Sequence, residues 1–338
     1  PPPTDTHTRW YSSAASDVYK RQAPAPTIEV DEDDELFLTL TNVGMAMRPD
    51  LFDPHTVHWH GFPEASSIFD GVPDASVSIN MGASLTYYYN VKDAGTYMYH
   101  CHVEATEHMQ MGMLGNLYVH PRQNKLPAQT FPNDFPHVPW DPVAKTGNRY
   151  AYNDGDGSTH YDKQYPIQIG SFDKAFHDAS YTVQPLPFAG MRDTYFLLNG
   201  RGYPDTVNPE PITTASPLAD PPPRPQQNVS SLITATAGER ILLRISNLNV
   251  TQFNTIGTNG PPMEVVALDA RLLRADDGTN MYYKTNSVTL GGGQSADVII
   301  DTTDLPSGTT FFLYSTNLEM LANHHDNFGG MMTEIRIN

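Results

Sequence analysis

The chain carries the same strand pattern twice. Residues 27–42 (TIEVDEDDELFLTLTN) and 232–247 (LITATAGERILLRISN) both read as two strands about an acidic or glycine turn. Apolar residues recur two apart at Leu36, Leu38 and Leu40, and again at Ile241, Leu243 and Ile245, which is the alternation of a half-buried strand. The echo continues downstream. Gly82-Ala83-Ser84 answers Gly293-Gln294-Ser295, each ahead of a strand (85–91 and 296–301). Gly95-Thr96 and Gly308-Thr309 introduce Tyr97-Met98-Tyr99 and Phe312-Leu313-Tyr314, and Gly112-Met113 and Gly330-Met331 precede closing strands at 117–119 and 335–337. A β-unit repeated roughly 210 residues later predicts two similar all-β domains. Short strands with turn chemistry between them favour Greek-key sandwiches over a parallel sheet, and 24 Gly, 29 Pro, 18 Tyr and 14 Phe agree with strands and turns.

The expected boundaries are 25–122 for the first domain and 166–338 for the second. Between them, 123–165 is rich in Pro, Asn, Asp and aromatic residues and reads as an ordered wrapping linker. Residues 1–24 are set apart from the fold: 8–22 (TRWYSSAASDVYKRQ) has no clean period and reads as translated adapter sequence or a natural disordered tail. With Pro1 first and no apolar leader, the chain is not expected to be a complete precursor. No apolar run approaches ~18 residues, so no membrane-spanning helix is expected. A net charge of −18 argues against nucleic acid as a partner, since phosphate binding needs a basic face. The single cysteine, Cys101, excludes an intrachain disulfide scaffold.

That cysteine sits among histidines. The first repeat contains His55-Thr56-Val57-His58-Trp59-His60-Gly61, then Tyr99-His100-Cys101-His102, then Glu107-His108-Met109-Gln110-Met111-Gly112-Met113. On a strand, His58 and His60 share one side and Trp59 takes the other; likewise His100 and His102 oppose Cys101. Cys101 is therefore expected to serve one metal inside the domain while its two neighbours serve other metal outside. A thiolate, two imidazoles and a weak thioether make a trigonal blue-copper set, for which the candidates are His55, Cys101, His108 and Met113. His58, His60, His100 and His102 remain as four convergent imidazoles. A structural zinc site needs no such second set. A Cys–His protease is disfavoured because the adjacent histidines lie on the wrong face and no orienting Asp or Asn is evident. Satisfied core histidines explain any one of these residues but not the whole pattern.

HTVHWHG (55–61) and YHCHVEATEHMQMGM (99–113) resemble the signatures of the multicopper oxidases, the group of laccases and ascorbate oxidase. The resemblance covers nearly the whole chain and implies two cupredoxin-like domains with copper as cofactor. Matched position by position, His55, Cys101 and His108 resemble type 1 copper ligands with Met113 axial, His58 a type 2 ligand, and His60, His100 and His102 type 3 ligands. It also implies one-electron oxidation of a small reducing substrate or metal ion, taken up at the His108 edge and passed through Cys101 to His100 and His102, with dioxygen reduced to water. The gap of seven from Cys101 to His108 is two longer than the commonest laccase spacing, where Thr106 would stand. His108 is preferred, because threonine cannot replace an imidazole.

The second repeat departs from the family. Asn254 and Ile256 stand opposite His58 and His60, and Ser315, Thr316 and Asn317 opposite His100, Cys101 and His102. Apart from His177, its histidines are the loop pair His324-His325, read as an exposed polar loop. The second domain is thus expected to be copper-free. Three readings follow: the leading part of a three-domain oxidase, a subunit completed by a neighbour as in head-to-tail trimers, or a blue-copper electron-transfer or nitrite-reductase-like module. The resemblance implies a periplasmic or extracellular location. Lesser signals read as structure: 153–158 (NDGDGS) as a plain turn lacking the later glutamate of a calcium loop, and 31–35 (DEDDE) as a solvated hairpin turn. Asn228-Val229-Ser230 and Asn249-Val250-Thr251 are glycosylation-type sequons, common by chance.

Overall fold

The computed structural model describes residues 23–44, 52–180, 185–214 and 224–338. The stretch 8–22, and nearly all of 1–24, lies outside them. The regular structure of the described chain is mostly strand, with only short helices. No helix among the described residues is long and apolar enough to cross a membrane.

Six strands build the first sandwich: β1 (Ile28–Asp31), β2 (Glu35–Thr41), β3 (His58–His60), β4 (Ser84–Asn90), β5 (Gly95–His100) and β6 (Leu114–His120). One sheet runs β1-β6-β5-β3, with β1 parallel to β6 and the other pairs antiparallel; β2 and β4 form the facing sheet. Leu36, Leu38 and Leu40 of β2 point inward onto Trp59, Tyr87, Tyr89, Leu117 and Val119, so the period of two puts one face of β2 into a common core.

The second half repeats this plan with more strands. A five-stranded sheet pairs Ile233–Ala235 in parallel with Met332–Ile337, then continues through Thr310–Ser315 and Asn254–Thr258 to Ser287–Leu290. Its first four strands match β1, β6, β5 and β3 in order and direction. The facing sheet is seven-stranded, with Arg240–Asn247 and Gln294–Asp301 at its centre. The large core between these sheets includes Ile241, Leu243 and Ile245, and the alternate Leu242 is also buried, against Ala94, Tyr152 and Val266. Both faces of this sheet are covered.

The acidic turn at 31–35 is not the hairpin read from the sequence. β1 and β2 pair with different partners in different sheets, so the turn carries the chain across the sandwich. Nor is it wholly solvated. Glu32 is 6% exposed and accepts the backbone N–H of Ala94 (3.1 Å) and of Arg122 (2.6 Å) and the side-chain amide of Asn153. A buried carboxylate is tolerated when its oxygens are satisfied in this way. At 153–158, Asp154 accepts the backbone N–H groups of Asp156 and Gly157, the turn expected there.

Polar contacts join the two sandwiches. The guanidinium of Arg244 and the carboxylate of Asp297, 3.7 Å apart and essentially inaccessible, share Thr96 of β5: Arg244 donates to its hydroxyl (2.8 Å), which donates to Asp297 (2.5 Å). Tyr152 donates to the other Asp297 oxygen, and Ser246 donates to Asn116 of β6 (2.7 Å). This seam holds the back of β5 against the seven-stranded sheet, and the end of β5 is where the histidines lie.

Candidate metal centre

The register of β3 against β5 pairs His58 with His100 and Trp59 with Tyr99. Trp59, fully buried, stacks on Tyr89 at 3.8 Å inside the core, which turns His58 and His60 the other way. β5 ends at His100. Beyond it the Cys101 N–H donates to Met113 O (3.2 Å) and the His102 N–H to Thr56 Oγ1 (3.1 Å). His55 is fixed by paired backbone bonds to Ile79 (3.0 and 2.8 Å).

The segment after Cys101 contains a short helix, α1 (Ala105–Gln110), which sequence periodicity did not reveal. It carries His108 and stops at Gly112, whose φ of 90° lies in the left-handed region glycine adopts at low cost. The reversal brings the Met113 N–H to His108 O at 3.0 Å. Met113 is thus tied by its backbone to both Cys101 and His108, and is 7% exposed.

These elements gather His55, Cys101 and His108. One donor atom from each lies within 4.8 Å of the others. His108 Nδ1 is 3.2 Å and His55 Nδ1 3.9 Å from Cys101 Sγ, and the Thr56 N–H donates to the same sulfur at 3.5 Å. A trigonal ion with bonds of about 2.0–2.3 Å would set its nitrogens about 3.8 Å from the sulfur, so this donor set fits a metal. Burial pushes the thiol up, but the His108 and His55 contacts outweigh it, and Cys101 is held well below its ordinary value. Thr106, the alternative at the shorter spacing, instead lines a cleft beside His60, His100 and His102.

The four other imidazoles face one another. Ring centroids separate His58 from His60, His100 and His102 by 5.7, 5.3 and 5.0 Å, and ring nitrogens of His58, His60 and His100 lie within 4.8 Å. His58 Nδ1 donates to Asp70 O (2.6 Å) and His100 Nδ1 to Cys101 O (2.8 Å), leaving each Nε2 as a lone pair. Burial pushes His100 down to about 3 and also lowers His60, with His58 adding to the effect. Neutral imidazoles are the ligating form. The cleft over this face holds about 510 Å³ and is walled on its far side by Leu248–Phe253 and Gly292-Gly293 of the second sandwich. A Cβ at Gly293 would come within 2.5 Å of the His60 ring.

The second sandwich supplies no counterpart. There the Ser315 N–H donates to Met331 O (3.0 Å) as the Cys101 N–H does to Met113 O, so Tyr314 matches His100 and its partner Gly257, not Asn254, answers His58, while Ile256 points into the core. His324 and His325 are exposed, with ring centroids 3.8 Å apart and planes tilted by 46°, and neither joins a metal-ligand group among the described residues.

Sequence reading missed Asp53. Its carboxylate accepts from His108 Nε2 at 3.0 Å and lies 3.5 Å from His55 Nε2. The signal was present, because Asp53 stands two residues before His55 and extended residues i and i+2 share a side. It also corrects two expectations. An orienting acid for a Cys–His pair does exist, but Cys101 is 4% exposed beneath two imidazoles, so no substrate carbonyl reaches its sulfur. The His108 edge, expected to be open to a reductant, is 5% exposed and capped by Asp53.

Stacked β-sandwiches with a buried Cys–His–His set at one strand end define a cupredoxin-type protein. Two family models described as multicopper oxidase match residues 5–124 and 175–331. The chain belongs to the multicopper oxidase family, whose metal is copper. It is 25% identical to Laccase-2 of Cryptococcus neoformans over 321 residues, covering 89% of this chain and 44% of that protein. It is 36% identical to the multicopper oxidase MmcO of Mycobacterium tuberculosis over 86 residues, 25% of this chain and 16% of that one. The chain therefore spans less than half the length of these relatives. Among solved structures, the blue copper oxidase of Nitrosomonas europaea aligns with a TM-score of 0.65 at 24% identity, over 94% of this chain and 77% of that one. The copper nitrite reductase of the same organism aligns at 0.58 and 15% identity, over 98% and 92%. At these identities the structural likeness speaks for the fold alone.

Proposed function

We propose that the chain is the type 1 and half-cluster portion of a multicopper oxidase, with the first sandwich (25–122) as the copper domain, 123–165 as its wrapping linker and 166–338 as a copper-free domain. His55, Cys101 and His108 hold a type 1 copper with Met113 axial. His58 serves a type 2 copper, and His60, His100 and His102 serve type 3 coppers. Copper bound there supplies one-electron chemistry, oxidising a small reducing substrate or metal ion and reducing dioxygen to water. The residues' task is to hold it: Asp70 and the Cys101 carbonyl fix the His58 and His100 rings, and the Thr56 N–H steadies the thiolate. The carrying observation is that two donor sets stand one residue apart, since Cys101 belongs to one and its covalent neighbours His100 and His102 to the other.

Four imidazoles are half of what a trinuclear cluster takes in this family, and the second sandwich adds none. The remainder is therefore assigned to a further domain or a neighbouring subunit across the His60–His100–His102 cleft. A location outside the cytoplasm, periplasmic or extracellular, follows the family resemblance. The test is copper content measured together with native mass. About four coppers per active unit, in a particle larger than one 37.5 kDa chain or in a longer chain, support the oxidase. One or two coppers in a monomer that consumes no dioxygen would replace it with a blue-copper electron-transfer or nitrite-reductase-like module.

A further inference from the structure

Asp53 has no role in the reading above, yet among the described residues it is the carboxylate that lies against both sulfur-side rings. Its side chain is 14% exposed, between imidazoles at 2% and 6%. Glu104, 3.8 Å from the same His108 nitrogen, is 60% exposed, too distant and too solvated to compete. An imidazole that donates one N–H to a carboxylate offers its other nitrogen as a lone pair. In both rings the nitrogen toward Asp53 is Nε2 and the nitrogen toward Cys101 Sγ is Nδ1. The carboxylate fixes the His108 tautomer by a hydrogen bond and favours the same one in His55, whose buried Nε2 has no hydrogen-bond partner and faces it at 3.5 Å.

We infer that Asp53 is a positioning residue for the sulfur-side centre, fixing the tautomers that aim both Nδ1 atoms at the metal and lowering its reduction potential with a negative charge at their far edges. The inference rests on the copper reading of this set. A fixed anion near an ion stabilises the more positive oxidation state, and outer-sphere hydrogen bonding is an established lever on potential. The His55 arm, at 3.5 Å, is the weaker of the two and acts through charge and not through a hydrogen bond.

The test compares copper-loaded full-length chain with Asp53→Asn, which keeps the shape and removes the charge, and Asp53→Ala, which removes both arms. Circular dichroism checks that each variant is folded. Redox titration of the visible charge-transfer band is expected to show a Cu(I)/Cu(II) ratio about tenfold higher than wild type at a fixed solution potential, which is 59 mV for one electron. A tenfold or greater loss of copper affinity in a folded variant also supports the role. A coloured wild type whose folded variants keep its potential, band and affinity overturns the inference and leaves the copper reading standing. A wild type that takes up copper without any such band sinks both.

Discussion

Cys101 belongs to two environments at once. Its side chain turns under His55 and His108, while its carbonyl accepts from His100 Nδ1 and so orients a ring of the other set. Deleting the sulfur and deleting a distant imidazole should therefore have separable effects. Cys101→Ser is expected to lose both the blue band and oxidase turnover, whereas His58→Ala should keep the band and lose most turnover; absorbance and oxygen uptake on the same samples check this. Equal loss of both signals in His58→Ala would contradict two separate sets. Most of this was legible in the sequence, because strand alternation alone sorts His58 and His60 from Trp59, and His100 and His102 from Cys101. Asp53 and Asp70 were less so. Asp70 accepts through a carbonyl that any residue carries, with its carboxylate 3.4 Å from the same nitrogen, and it stands twelve residues on from His58.

Among elements, the loop leading into β3 and the one following it do the aiming. Gly71 has a φ of 76°, and a Cβ there would lie 2.2 Å from Val57 O, directly behind the backbone that presents His58. Gly71→Ala combines left-handed strain with a backbone clash. Denaturant melts should show a loss of about 2 kcal/mol or more, and a fall in copper at the imidazole face. A melt within about 0.5 kcal/mol of wild type would show that the backbone yields freely there. The missed helix and the misread turn have different causes. The six-residue α1 is too short for a periodic signature and follows Glu104 at a left-handed φ of 47° with no side-chain cap, so neither pattern nor start signal announces it. The strand–turn–strand at 28–41 looks like a hairpin because alternation reports a strand and not which sheet it joins.

At the scale of the molecule, the repeat was legible in full and the asymmetry in part. The missing second set of histidines was evident, but the equivalence of Gly257 with His58 needed the register and the hydrogen bonds, since loops of unequal length hide it. The segment 123–165 is bound down by charge as well as packing. Asp156 pairs with Arg274 of the second sandwich at 2.6 Å. Burial pushes its carboxyl up, but bonds from Ser158 and Arg274 prevail and hold it below the ordinary 3.8. A depressed acid stabilises the fold above its unfolded value and loses that contribution as pH falls through the folded one. Wild type should therefore melt above Asp156→Asn at about pH 6, and the difference should close as pH drops below about 3.8. A gap that stays constant to about pH 3 would remove the ion pair as its source.

The seam at Thr96 has a wider consequence. Arg244 and Asp297 lie 3.7 Å apart, and a hydroxyl from the first sandwich bonds to both. Pulled apart, the second sandwich would keep that ion pair on a newly wetted wall without its third partner, and its neighbour would lose the brace behind the strand that presents His100. Trimming away the second sandwich to make a smaller protein would thus blunt the very edge it was meant to spare.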